Sequence, residues 1–129
     1  MNKNIKKYFK TFNNCSPNKI GTKAYNLYRL YHCKKYNIVK ALIIESSYYD
    51  LLIKSNNIKS VKDFNLRNFK IPKEHVPIIL EEIRKSFGKQ PLIIRSSANC
   101  EDLPIFSFAG QYDSFLNISE DKKIIKALT

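Results

Sequence analysis

The sequence predicts a single α+β domain, a small mixed sheet packed with helices. Short runs rich in branched residues, at 39–44 and 91–95, stand between stretches whose apolar residues recur at helical spacing. Gly and Pro fall near the ends of those stretches. The 129 residues, 43% of them hydrophobic, suffice for one modest core and are too few for two.

Taken in order, residues 5–12, with Ile5, Tyr8, Phe9 and Phe12, fit either a short strand or a helical turn, and spacing does not decide. Residues 13–19 are rich in Asn, Ser and Pro and read as a loop. Behind Gly21, the positions Ala24, Leu27, Tyr28, Leu30 and Tyr31 predict a helix over 22–35. The run 39–44 fits a buried strand. Ser46 and Ser47 offer N-caps to a second helix carrying Tyr48, Tyr49, Leu51, Leu52 and Ile53. Residues 56–70, polar and basic with scattered apolar positions, read as a connector.

Pro72 suits the first turn of a third helix. Its stripe of Val76, Ile79, Leu80, Ile83 and Phe87 stops at Gly88, and Pro77 would shorten or bend its start. Residues 91–95 then form a strand, 96–107 a loop and 112–117 a further strand. Ser119 caps a last helix in which Glu120 and Asp121 precede Lys122, Lys123 and Lys126, a charge order that suits the helix dipole; no C-cap follows.

The net charge of +12 is unevenly placed. Residues 1–72 carry 15 Lys and Arg against 3 Asp and Glu, whereas 73–129 carry 8 against 8. Such a face attracts phosphate groups through a field that salt screens, but its sign does not choose among nucleotide, nucleic acid and anionic membrane. Cys15, Cys33 and Cys100 are odd in number and lack the pairing of a zinc knuckle or redox motif, which fits free thiols in a reducing compartment. Lys3, Lys6 and Lys7 lead into Tyr8, Phe9 and Lys10 instead of an apolar run, and no window approaches 18 uncharged apolar residues. The expectation is a cytoplasmic protein with no membrane partner.

The informative segment is RSSANCEDLP at 95–104, followed by SFAGQYDSFLNI at 107–118. Arg95, as the last residue of a strand, sets an always-charged fork at a sheet edge, where a polyphosphate accepts two parallel hydrogen bonds. Lys23, in the first turn of the helix behind Gly21, adds a point charge beside N-terminal backbone amides, an arrangement suited to anions. Residues 107–111, small around Gly110, suit a flap whose amides close over phosphates and exclude water. Glu101 and Asp102 have acceptor chemistry for magnesium, although loop-fixing hydrogen bonds are the reading preferred here.

This order of motifs resembles the family of phosphoenolpyruvate synthase, rifampicin phosphotransferase and pyruvate, phosphate dikinase. There a strand ends in Arg-Ser-Ser-Ala, Glu-Asp-Leu-Pro follows, and Ser-Phe-Ala-Gly-Gln leads into Phe-Leu-Asn. Upstream, GTKAYNLYRL at 21–30 is similar to the family's Gly-Gly-Lys-Gly-Ala-Asn-Leu opening at Gly21, Lys23, Asn26 and Leu27, but departs from it at Thr22, Ala24 and Tyr25. The Pro-Pro-Gly that usually precedes the next strand is replaced around Val39, Lys40 and Ala41. The resemblance is specific over about 28 residues.

The resemblance implies the N-terminal part of an ATP-grasp fold, with residues 1–129 forming one incomplete domain. It implies ATP held by Lys23 and Arg95, Arg95 acting catalytically, and Gly110 and Gln111 in the closing flap. The adenine pocket and the Mg2+ ligands are expected in a second lobe, so no metal ligand is assigned in this chain. His32 and His75 lie outside the family's phosphohistidine segment and read as surface or helix-face residues, and Cys100 as a small loop residue. The family reaction cleaves ATP to AMP and passes phosphate through a histidine to pyruvate or another acceptor. This chain alone is expected to be inactive, with ATP and the remainder of a split ATP-grasp enzyme as its partners. The rival reading is a non-catalytic module whose basic first part binds a protein or nucleic acid. Tyr25, Tyr28, Tyr31, Tyr48 and Tyr49 fit helix faces better than a stacking platform, which argues against nucleic acid.

Overall fold

The protein is described by a computed structural model covering residues 4–59, 69–97 and 114–129. Both alternatives for the opening residues occur, one after the other. Ile5, fully buried, anchors a 3-10 turn at Ile5–Tyr8, and β1 (Phe9–Lys10) follows directly. β1 pairs antiparallel with β2 (Ile43–Ile44), setting Phe9 opposite Ile44 and Lys10 opposite Ile43. The branched run at 39–44 is therefore a strand only over its last two residues; Val39 is 77% exposed. Strand propensity is realised only where a partner strand lies alongside.

Between these strands, α1 (Thr22–Cys33) starts at Gly21 and ends where Lys34 turns left-handed at φ 55°, two residues short of the sequence expectation. It buries no residue completely; Ala24, Leu27 and Tyr28 lean on a small core of Phe12, Ile20 and Ile43. α2 (Ser46–Ser55) is not capped by either serine. Glu45 holds the N-cap position, its amide donating to the Tyr8 carbonyl at 3.0 Å, while the Ser46 hydroxyl donates to the Lys19 carbonyl. Tertiary partners thus take the groups that local capping would have used.

After α2, the Asn56 amide clamps the far end of the connector. It donates to the Lys70 carbonyl and accepts from the Lys70 N–H, each at 2.9 Å. The third helix, α3 (Val76–Phe87), begins later than Pro72 suggested. Residues 72–75 form a turn closed by the His75 N–H on the Pro72 carbonyl, and Pro77 occupies the first helical turn, where a missing N–H breaks no helical bond. Gly88, at φ 64°, ends the helix.

β3 (Leu92–Arg95) and β4 (Ser114–Ile118) form a second antiparallel pair, with Leu92 opposite Ile118, Ile94 opposite Phe115 and Arg95 opposite Ser114. The register slips by one residue between Leu92 and Ile94, and Asn117 takes φ 57° at the slip, consistent with a bulge in β4. α4 (Asp121–Ala127) starts behind Glu120, not Ser119. The Ser119 carbonyl instead accepts from Arg84, whose guanidinium also pairs with Asp121 and so ties α4 to α3. The helix ends on the Thr129 hydroxyl, which reaches the Ile125 and Lys126 carbonyls.

The α+β class holds, but the sheet differs from the small mixed one expected: among the described residues there are two separate antiparallel pairs. The main core lies between α2, α3 and α4, with Ile5, Ile79 and Ile124 its fully buried side chains. Lys6 reaches across to Glu81 at 2.8 Å and Glu82 at 3.5 Å, fastening the opening turn to α3. The exposed pair with Glu81 fixes position more than it stabilises. No helix among the described residues is long and apolar enough to cross a membrane.

Candidate functional site

Seventy-three residues apart in sequence, Ala24 and Ser97 touch: the Ala24 N–H donates to Ser97 Oγ at 3.0 Å. Ala24 is the third residue of α1, so this serine takes up one of the amides that every helix N-terminus leaves without an internal partner. Ser97 lies two residues beyond Arg95, the last residue of β3. The joint is tight enough to exclude a side chain at Gly21. A Cβ there would lie 1.8 Å from the Ser97 carbonyl oxygen and 2.1 Å from its carbon. Gly21 has φ −72° and ψ 171°, a conformation open to any residue, so close approach and not backbone freedom is what requires glycine.

One place therefore gathers the first turn of α1, with Lys23 half-buried in it, and the end of β3, with Arg95 exposed. Among the described residues, no ion pair involves Arg95. β4 returns to the same point, since Ser114 is the register partner of Arg95. Arg95 and Ser114, which flank residues 96–113, are paired there. Within that segment, Cys100, Glu101, Asp102, Gly110 and Gln111 lie outside the described residues, as does the flap at 107–111.

Charge reinforces the arrangement. Residues 1–44 contain ten Lys and Arg and no Asp or Glu, so α1 lies wholly in an acid-free stretch. A helix N-terminus, a lysine and an arginine at a strand end add fields of one sign, which favours an anion with several negative oxygens. No group of three or more His, Cys, Asp or Glu side chains able to hold a metal occurs among the described residues.

Sequence reasoning singled out Lys23 and Arg95, and the fold brings their elements together. It missed Ser97 and the contact role of Gly21. The available signal was the pair of serines after Arg95 and a glycine immediately before a helix, but nothing in the sequence says that the two meet. An open groove of about 550 Å³ stands at the opposite end of α1, lined by Asn13, Tyr31, His32, Lys34, Tyr36, Asn37 and Ile38. A twelve-residue helix is about 18 Å long, which separates that groove from the Lys23 end.

The histidines divide. His32 is exposed, with Nε2 3.0 Å from the Phe12 carbonyl. His75, expected as a surface or helix-face residue, is only 8% exposed and sits with Nδ1 3.2 Å from the Tyr48 hydroxyl. Burial pushes the Tyr48 phenol from 10.0 up to about 12. The tyrosines divide likewise: Tyr48 is buried, whereas Tyr25, Tyr31 and Tyr49 remain 36–47% exposed on their helices. Cys15 and Cys33 are free thiols, and burial raises the pKa of Cys15.

Comparison with known proteins yields one family and a consistent set of relatives. Residues 66–129 match the profile of the pyruvate phosphate dikinase AMP/ATP-binding domain. The chain is similar to the probable phosphoenolpyruvate synthase of Staphylothermus marinus, 36% identical over 56 residues, 40% of this chain and 7% of the relative. It is similar to the phosphoenolpyruvate synthase of Deinococcus radiodurans, 37% identical over 60 residues, 43% of this chain and 8% of the relative. A rifampicin phosphotransferase of Bacillus subtilis is 36% identical over 59 residues, 46% of this chain and 7% of the relative. The chain thus spans less than a tenth of the length of these relatives. No solved structure matches it.

Proposed function

We propose, from the premise that residues 66–129 belong to the N-terminal ATP-binding region of the phosphoenolpyruvate synthase and pyruvate, phosphate dikinase family, that this chain supplies one wall of an ATP site. The observation that carries the reading is the joint between Gly21 and Ser97. It sets the helix bearing Lys23 against the strand bearing Arg95, although Lys23 lies outside the matched residues. In this reading Arg95 grips the triphosphate through paired charge-assisted bonds, and Lys23 adds a point charge beside the α1 amides. Gly110 and Gln111 belong to a flap that closes over the phosphates and keeps water from them.

The finer reading is a phosphotransferase that cleaves ATP to AMP and passes phosphate through a histidine in another domain to pyruvate or a different acceptor. Phosphoryl transfer needs metal and positioning groups on several sides of the moving phosphate. We assign the Mg2+ ligands and the adenine pocket to polypeptide beyond the groups described, whether in the same protein or in the other part of a split enzyme. Residues 1–129 are in this view a single incomplete ATP-grasp domain, and catalysis belongs to the assembled protein.

Calorimetry with magnesium-ATP tests the proposal. The unsubstituted chain should bind, and Arg95→Ala should weaken binding about tenfold or more, the loss of a charge-assisted pair. Equal affinity for both proteins would refute the role of Arg95. The acid-free stretch 1–44 supports a second reading, a non-catalytic module for an anionic partner. Affinity for an oligonucleotide that falls steeply with salt, in a chain that ignores ATP, would favour it.

A further inference from the structure

We infer that Ser97 is a positioning residue of the nucleotide site, setting the spacing between Lys23 and Arg95; this rests on the ATP reading above. Ser97 stands two residues past Arg95 on the same backbone, so the segment holding it also fixes where β3 ends. Its hydroxyl accepts the amide of Ala24, one residue past Lys23, at 3.0 Å. Two short covalent paths, from Arg95 to Ser97 and from Ala24 to Lys23, are thus closed into one unit by a single hydrogen bond. Gly21 seals the other side, leaving no room for the two elements to slide together.

The need for such a tie follows from how the elements are otherwise held. α1 buries no residue completely and leans only on the small core of Phe12, Ile20 and Ile43. β3 belongs to a separate sheet, and its Leu92 and Ile94 pack against the main core. Among the described residues the two charged elements rest on different core clusters, which meet only indirectly through β1 and β2, where Ile43 of one cluster adjoins Ile44 beside the other. Recognition of a polyphosphate depends on the separation of the two elements, because a misplacement of about 1 Å is enough to lose a well-directed contact. Ser97 touches no phosphate in this account; it acts through Lys23 and Arg95.

A double-mutant cycle on the full chain tests this, with magnesium-ATP affinity read by calorimetry and folding by thermal melting. Ser97→Ala should weaken ATP binding about fivefold, the scale of one net hydrogen bond, with little change in melting temperature. In an Arg95→Ala background the same substitution should have much less effect, because the spacing no longer serves two phosphate contacts. Ser97→Thr, which keeps the hydroxyl, should recover part of the affinity. Unchanged ATP affinity in Ser97→Ala, with Arg95 still required, would overturn the inference and leave the nucleotide reading intact. Additive losses in the double variant, or a fall in melting temperature that accounts for the lost affinity, would make Ser97 merely structural and overturn it too. Absence of ATP binding by the unsubstituted chain would overturn both.

Discussion

Gly21→Ala is expected to destabilise the protein by about 1–3 kcal/mol through a clash and not through backbone strain. The new Cβ would start 1.8 Å from the Ser97 carbonyl oxygen, so reaching ordinary contact requires a displacement of about 1.6 Å between α1 and the end of β3. The two nearest atoms belong to backbone, so no side-chain rotation relieves them. At φ −72° the alanine itself is unstrained, but alanine is a poorer N-cap than glycine by about 0.5–1 kcal/mol, a loss that adds to the clash. For a chain of this length the loss corresponds to roughly 4 °C or more in melting temperature, measured by far-ultraviolet circular dichroism. Gly88→Ala provides the contrast: its Cβ meets nothing within 4 Å, and its cost, about 1–3 kcal/mol, comes from a backbone at φ 64° and ψ −137° that favours glycine. Ser97→Gly should fail to rescue Gly21→Ala, because it removes the hydroxymethyl group and leaves the carbonyl. A Gly21→Ala protein as stable as its parent, or one rescued by Ser97→Gly, would refute the close backbone approach on which the site rests.

Two further substitutions test the packing that supports the site. Tyr48→Phe leaves buried His75 without its hydroxyl partner and should cost about 1 kcal/mol near neutral pH by chemical denaturation. It should also alter the alkaline limb. Tyr48 is raised from 10.0 to about 12, so the folded state holds its proton more tightly. That contribution is complete below pH 10 and lost as pH rises to 12, a slope that Tyr48→Phe should flatten and whose persistence would contradict the assignment. Asn56→Ala removes both bonds to the Lys70 backbone and should cost about 1–2 kcal/mol in urea unfolding. Asn56→Asp, which keeps the acceptor and loses the donor, should fall between, and a neutral Asn56→Ala would show that the clamp does not hold the connector.

Elements backed by long periodic patterns were legible. The stripe from Val76 to Phe87 is α3, and the helix behind Gly21 is α1, because many apolar positions agree on one face. Boundaries were less so. Ser46 and Ser119 are sound N-caps by chemistry, yet Glu45 and Glu120 occupy those positions; the Ser46 hydroxyl binds the Lys19 carbonyl, and the Ser119 backbone carbonyl accepts from Arg84. His75 read as a surface or helix-face residue, but Tyr48, 27 residues upstream, supplies the partner that makes its burial tolerable. In each case a group distant in sequence outbid a local preference, and single-chain spacing carries no record of such encounters.

The sequence by itself carried the family resemblance and the candidate site residues. Arg95 at a strand end, Lys23 at a helix start and the ordered motif between 95 and 118 identify a phosphate-binding family without any coordinates. Only the tertiary structure decided that the start of the helix bearing Lys23 and the end of the strand bearing Arg95 meet. That depends on a glycine with room for no Cβ and a serine hydroxyl closing on an amide 73 residues away. Residue types fix what a group can bind, because charge and hydrogen-bonding capacity are local properties. Distances between groups are properties of packing, and they exist only once α1 and β3 have been brought together.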